Sequence, residues 1–174
     1  SDLADISRIE SGHFYMDPVR VTVQKIIEAV QDNTILQIND RSHTLTVEVE
    51  PDLPELFVDY YRLLQALTNL VSNAYKYTPD GGKILLRVGR DGDRMRFTVR
   101  DTGIGLSPRQ IANLGRKFWR AEDEYTRNQP GTGLGFAITT SLVRLMGSEI
   151  EIESTVGEGS SFSFTVAIAN DTND

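Results

Sequence analysis

Three short runs in this chain combine residue types and spacings suited to chemistry. On a helix at about 100° per residue, Arg62, Gln65, Asn69, Asn73 and Lys76 share one stripe. It lies roughly opposite an apolar stripe of Tyr60, Leu63, Leu64, Leu67, Leu70, Val71 and Ala74. A polar stripe is often no more than a solvated face, yet Asn is a poor helix former away from caps, and here two lie one turn apart. Amide oxygens are hard ligands of the kind Mg²⁺ accepts together with substrate phosphates, and a lysine on the next turn suits a polyphosphate. The second run, Asp101-Thr102-Gly103-Ile104-Gly105, directly follows a strand pattern. It is either a turn whose glycines supply special backbone angles or a site where a carboxylate accepts a hydrogen bond from a ligand amine. In that second case Gly103 and Gly105 let backbone approach a flat ring. The third run, Gly131-Thr132-Gly133-Leu134-Gly135, opens a helical pattern. Glycine-rich backbone at a helix N-terminus binds phosphate through free N–H groups and the helix dipole, although such a run can also be a loop that simply ends against a helix.

Several other chemistries are excluded or weakened. Asp-Thr-Gly is also the aspartic-protease triplet, but that reaction needs two carboxylates sharing a proton, and the chain has one copy. The third run has neither the spacing nor the preceding strand of the dinucleotide fingerprint, and no G-x-x-x-x-G-K-[ST] run occurs. With no cysteine there is no disulfide framework, thiolate zinc site or cysteine nucleophile. His13 and His43, the two histidines, are far apart in sequence and do not suggest a metal cluster. The 174 residues carry 18 Lys+Arg against 25 Asp+Glu, a net charge of −7, which argues against a broad nucleic-acid footprint. No apolar run approaches the ~20 residues of a membrane span and no signal-peptide pattern opens the chain, so a cytoplasmic location is expected. The first residue is Ser, and the chain is read as a piece of a longer protein, which leaves open a membrane anchor in the parent.

The elements that must position these runs are legible from periodicity. Leu3, Ile6 and Ile9 form a weak helical stripe ended by Gly12, and Thr22 to Ile38 is helical. His43 to Glu50 alternates as a half-buried strand closed by Pro51 and Pro54. A long amphipathic helix spans Val58 to Tyr77 and stops at Thr78-Pro79-Asp80-Gly81-Gly82. Lys83–Arg90 and Met95–Asp101 form a hairpin around Asp91-Gly92-Asp93. Ser107 and Pro108 start a short helix. Residues 115–132 are polar and irregular apart from Phe118 and Trp119, a loop either functional or disordered. A second long helix covers Leu134 to Met146, and the strands Ile150–Ser154 and Ser161–Ile168 finish the chain. The pattern predicts an α/β (α+β) two-layer sandwich, with a mixed, largely antiparallel sheet of about five strands on about three helices.

Taken in order, these runs resemble a known family: the catalytic ATP-binding domain of sensor histidine kinases, in the wider GHKL group with gyrase B, Hsp90 and MutL. Asn69–Tyr77 is similar to its N box, Asp101–Gly105 to its G1 box, Lys117-Phe118-Trp119-Arg120 to its F box, Gly131–Gly135 to its G2 box and Gly157–Phe164 to its closing motif. The resemblance runs from about Val21 to Ile168. Phe136 stands where the G2 box usually has leucine, and Ser148 where glycine is common, two departures that bear on lid packing.

The resemblance implies a Bergerat fold and ATP and Mg²⁺ as cofactors. Asn73 would carry Mg²⁺ with Asn69 beside the phosphates, and Lys76 and Arg120 would contact phosphate oxygens. Tyr77 would lie against the adenine, Asp101 would accept its amino hydrogen, and Gly103 and Gly105 would line the base. Gly131, Thr132, Gly133, Leu134 and Gly135 would form the phosphate loop and lid hinge, with residues 115–132 as the lid and Phe118 its anchor. Asn69, Lys76 and Arg120 are the expected catalytic residues. Residues 1–17 would be the tail of the second helix of a dimerisation hairpin plus linker, residues 18–169 the catalytic domain, and residues 170–174 a tail. The hairpin's phospho-acceptor histidine has no counterpart here, and neither His13 nor His43 takes that role, so no autophosphorylation is expected from the chain alone. The implied partners are that hairpin and, through it, a response regulator, with no nucleic acid and no membrane contact. The alternatives are a GHKL-type ATPase or a nucleotide-gated interaction module. The ATPases use glutamate as water-activating base where this chain has Asn69, which cannot serve as one.

Overall fold

The computed structural model describes residues 2–114 and 135–172. Its elements run α1 (Asp2–Glu10), β1 (Val19–Val21), α2 (Val23–Asp40), β2 (Thr44–Val49), β3 (Leu56–Val58) and α3 (Tyr60–Tyr77). There follow β4 (Lys83–Asp91), β5 (Arg94–Asp101), α4 (Pro108–Asn113), α5 (Gly135–Leu145), β6 (Glu151–Thr155) and β7 (Gly159–Ala167).

Alternation decides the sheet. Ile84, Leu86 and Val88 on β4 and Met95, Phe97 and Val99 on β5 are buried, while arginines between them reach the opposite face. Gly92 turns the hairpin at φ 62°, a backbone angle that costs an L side chain energy. The five strands lie in the order β2-β4-β5-β7-β6. Only β2 and β4 run parallel; the other neighbours are antiparallel. A parallel pair needs a crossover, and β3 with α3 supplies it. Helix α3 starts where the Asp59 carboxylate accepts from the Arg62 N–H at 3.2 Å. It buries Leu63, Leu67, Leu70, Val71 and Ala74 in the core that also holds Phe97 and Phe164, whose rings stack at 6.0 Å. The two-layer α/β arrangement with a mixed, largely antiparallel five-stranded sheet is as expected from the pattern.

Three details differ from the periodicity reading. Val58 does not open the long helix; it ends β3, where Leu56 and Val58 are buried and pair with Val21 and Val19 of β1 in a two-stranded antiparallel sheet. Strands this short carry too few residues for alternation to register. The edge strand begins at Thr44 rather than His43, whose side chain is turned inward. The last strand begins at Gly159 rather than Ser161. A second, smaller core joins α1 to α5 through Ile6, Ala137, Ile138 and Leu142, with Ile9 and Phe14 against it.

Candidate functional site

Helix α3 is the spine of the site, and its two ends meet different elements. At the C-terminal end, the Tyr77 carbonyl accepts from the Ile104 N–H at 3.1 Å, which fastens the loop after β5 to the last turn of the helix. That loop has no room for side chains. A Cβ on Gly103 would overlap the Tyr77 carbonyl oxygen, and one on Gly105, at φ 73°, would overlap the Thr155 carbonyl. Ile104 also accepts from the Gly157 N–H at 2.8 Å, so the loop is held between α3 and the β6–β7 turn.

Asp101 sits at the tip of β5 with only 8% of its surface exposed. Its Oδ1 accepts from the Gly103 N–H at 2.8 Å and the Ser160 N–H at 3.3 Å. Burial pushes its carboxyl up from 3.8 to about 6, against the two backbone hydrogen bonds and the charge of His43, which pull it down. A desolvated carboxylate with both backbone donors on one oxygen keeps Oδ2 for a ligand N–H. Perturbed carboxyls of this kind gather at functional sites.

Toward the other end, Asn69 Nδ2 donates to Thr139 Oγ1 at 3.2 Å, and Thr139 Oγ1 donates to the Gly135 carbonyl at 2.9 Å. This couples α3 to the first turn of α5, where free N–H groups and the helix dipole favour an anion. Asn73 lies one turn beyond Asn69 and half-buried, and Lys76 and Tyr77, also half-buried, complete the line toward the Asp101 loop. The structure thus brings Asn69, Asn73, Lys76, Tyr77, Asp101, Gly103, Gly105 and Gly135 along one helix and its two neighbours. Phe118, Arg120, Gly131, Thr132, Gly133 and Leu134 lie outside the described residues.

Among the described residues no three His, Cys, Asp or Glu side chains gather into a cation site. A protein-only cage is therefore lacking there, whereas one amide oxygen plus phosphate oxygens fits the way Mg²⁺ is usually held. The amide of Asn73 makes no hydrogen bond to another described side chain, and its oxygen is a hard ligand of the kind Mg²⁺ accepts. No described helix is long and apolar enough to cross a membrane.

Sequence reasoning missed the partners of these groups. Ser160 belongs to the closing motif, but nothing marked its N–H as a donor to Asp101. Thr139 reads as one more helix residue, and its pairing with Asn69 spans 70 positions.

Residues 58–170 match the family model described as histidine kinase-, DNA gyrase B-, and HSP90-like ATPase. The chain belongs to this family. The circadian input-output histidine kinase CikA of Synechococcus elongatus is 40% identical over 166 residues, covering 93% of this chain and 22% of that protein. The sensor histidine kinase RcsC of Escherichia coli is 35% identical over 169 residues, 97% of this chain and 18% of that protein. The chain therefore spans about a fifth of the length of these relatives. Among solved structures, full-length ShkA in complex with AMPPNP superposes with a TM-score of 0.86 at 28% identity, over 97% of this chain and 35% of that one. The catalytic domain of histidine kinase ThkA gives a TM-score of 0.76 at 22% identity, over 88% of this chain and 97% of that one, a likeness of fold. This chain is a catalytic ATP-binding domain of the sensor histidine kinase type, with the five-stranded sheet and the helix α3 spine of the GHKL group.

Proposed function

We propose that the line of groups on α3 and its neighbours holds Mg-ATP for phosphoryl transfer to a histidine on a dimerisation hairpin. The observation that carries this reading is the buried Asp101, with both backbone donors on Oδ1 and its carboxyl raised to about 6, at the end of the helix that carries Asn69, Asn73 and Lys76. Asp101 Oδ2 accepts the adenine amino hydrogen, Tyr77 lies against the base, and Gly103 and Gly105 form its floor. Asn69 and Lys76 lie along the phosphates, with Arg120 and the Gly131–Gly135 run completing the clamp from the segment before α5. The AMPPNP bound to ShkA, a nucleotide triphosphate analogue, supports this class of ligand.

Asn73 holds Mg²⁺ through its amide oxygen. When bound, that ion neutralises charge on the phosphate oxygens. Phosphoryl transfer asks the protein mostly for positioning and charge neutralisation, and the residues named here do both. The acceptor imidazole comes from the hairpin, of which residues 1–17 are read as the closing tail, and a response regulator then receives the group. His13, exposed beside Ser11, and His43, buried, do not serve as acceptor. The domain works on the cytoplasmic side.

An ATP titration with and without Mg²⁺ tests the proposal. Wild type is expected to bind ATP more tightly with the ion, and Asn73→Ala to lose that difference. An Mg²⁺ effect that survives Asn73→Ala overturns the assignment of this helix face. Transfer of labelled phosphate to a separately supplied hairpin, with none retained by the chain alone, tests the reaction itself.

A further inference from the structure

His43 is a titratable side chain outside the groups proposed to touch the nucleotide. It sits in the turn between α2 and the edge strand β2, a place where a polar ring would ordinarily face water. Its neighbours Ser42 and Thr44 are exposed, yet His43 is only 6% exposed. Burying a polar ring at a sheet edge costs free energy unless its nitrogens are bonded. The Nε2–H of His43 is shared between the Thr78 carbonyl at 2.9 Å and the Pro79 carbonyl at 3.1 Å. Nδ1 is buried with no hydrogen-bond partner among the described residues. The ring meets Tyr75 edge-on at 5.8 Å, and the Arg41 guanidinium covers the same tyrosine at 4.6 Å from its centre.

What His43 grips is the loop between α3 and β4. The edge of the sheet holds that loop at two further points: the Gly81 N–H donates to the Arg41 carbonyl at 3.0 Å, and the Thr44 N–H to the Gly82 carbonyl at 3.1 Å. On the other side, the two residues that flank the loop, Tyr77 at the end of α3 and Lys83 at the start of β4, fix the segment after Asp101. Tyr77 accepts from Ile104, Lys83 N–H donates to Thr102 Oγ1 at 2.9 Å, and Thr102 N–H donates to the Lys83 carbonyl at 3.1 Å. The loop thus lies between the two: His43 bonds its Thr78 and Pro79 carbonyls, and a Cβ on Gly103 would come within 3.0 Å of Thr78 Oγ1.

We infer that His43 is a positioning residue for the base end of the nucleotide site, setting the Thr78–Pro79 backbone against which the Asp101–Ile104 segment is aligned. This rests on the reading that Asp101 accepts the amino hydrogen of adenine. ITP, which has a carbonyl oxygen in place of that amino group and a proton on the adjacent ring nitrogen, separates the two claims. Wild type binds ATP more tightly than ITP. In His43→Leu the donor is gone, the two carbonyls are released, and the ATP preference collapses by at least about fivefold while ITP affinity holds, the size expected for one lost hydrogen bond. In His43→Gln, whose amide N–H lies roughly where Nε2 does, the preference returns. Should His43→Leu not fold, His43→Asn is read instead, since its shorter amide falls short of the Thr78 carbonyl. A wild type without preference overturns the reading of Asp101. A wild type with preference, kept in full by His43→Leu or lost only because both affinities drop in parallel, overturns the role of His43 alone. Failure of His43→Gln to restore the preference also counts against it.

Discussion

The two ends of helix α3 are built by different means. At the base end, backbone holds backbone: Tyr77 to Ile104, Ile104 to Gly157, and Gly103 and Ser160 to the Asp101 carboxylate. Glycines at 103 and 105 let these chains approach more closely than any side chain allows. At the phosphate end, the described contact is one side-chain bond from Asn69 to Thr139, passed on to Gly135. On the proposed reading a flat, rigid base meets a preformed slot, since ordering such a loop on binding would subtract from affinity. On the same reading a polyphosphate meets amide and lysine side chains and a helix terminus. The proposed contrast is shape at one end and charge at the other.

Four experiments break or sharpen that contrast. The largest effect is expected at the crowded glycines. Gly105→Ala forces a left-handed backbone and an overlap with Thr155, costing about 2–5 kcal/mol of stability in thermal or chemical unfolding. A loss below about 0.5 kcal/mol there refutes the preformed slot.

Next comes Asp101→Asn, which turns the acceptor into an amide. ATP affinity falls about 10–100-fold, the worth of a hydrogen bond to a charged group, by calorimetric titration. Stability moves the other way. A carboxyl raised by burial from 3.8 to about 6 favours the fold when protonated, and that contribution is lost as pH rises through about 6. Above pH 6 the ligand-free Asn variant is therefore more stable than wild type by on the order of 3 kcal/mol, since one pKa unit is about 1.4 kcal/mol. A variant that loses affinity and stability together contradicts this sign.

The same titration predicts that wild-type ATP affinity drops about tenfold between pH 8 and pH 5, because at pH 5 the carboxyl is mostly protonated. In Asp101→Asn the slope should flatten. A steep slope that persists in the variant assigns it to another group.

Smallest is Thr139→Val, which removes the partner of Asn69. A neutral hydrogen bond is worth about 0.5–1.5 kcal/mol, so ATP affinity should fall two- to tenfold while adenosine affinity stays level. Equal losses for both ligands erase the distinction between the two ends.

Much of this was legible from residue order. Period-2 alternation placed β4 and β5, the apolar stripe of Leu63 to Ala74 placed α3, and Asp101–Gly105 announced itself as the strand-end loop. These are local signals, since each strand or helix must show one apolar face to a common core. The short β1–β3 pair was not legible, because three residues are too few to reveal a period. The partners were hidden too. Thr139 opposite Asn69, Ser160 over Asp101 and His43 beneath Thr78 lie 70, 59 and 35 positions from their contacts. Nothing in residue type or spacing points across such gaps.

Residue order by itself settled which groups are available: two amides and a lysine on one helical stripe, one carboxylate at a strand tip, glycines where backbone must pass backbone. Folding alone decided their state. Asp101 is an ordinary aspartate until β7 and the glycine loop close around it and remove water, and only then does its proton become hard to lose near pH 6. His43 is a surface-type residue until the edge strand turns it under the loop that α3 leaves behind. Desolvation and distance come from the whole packed chain, and no local pattern encodes them.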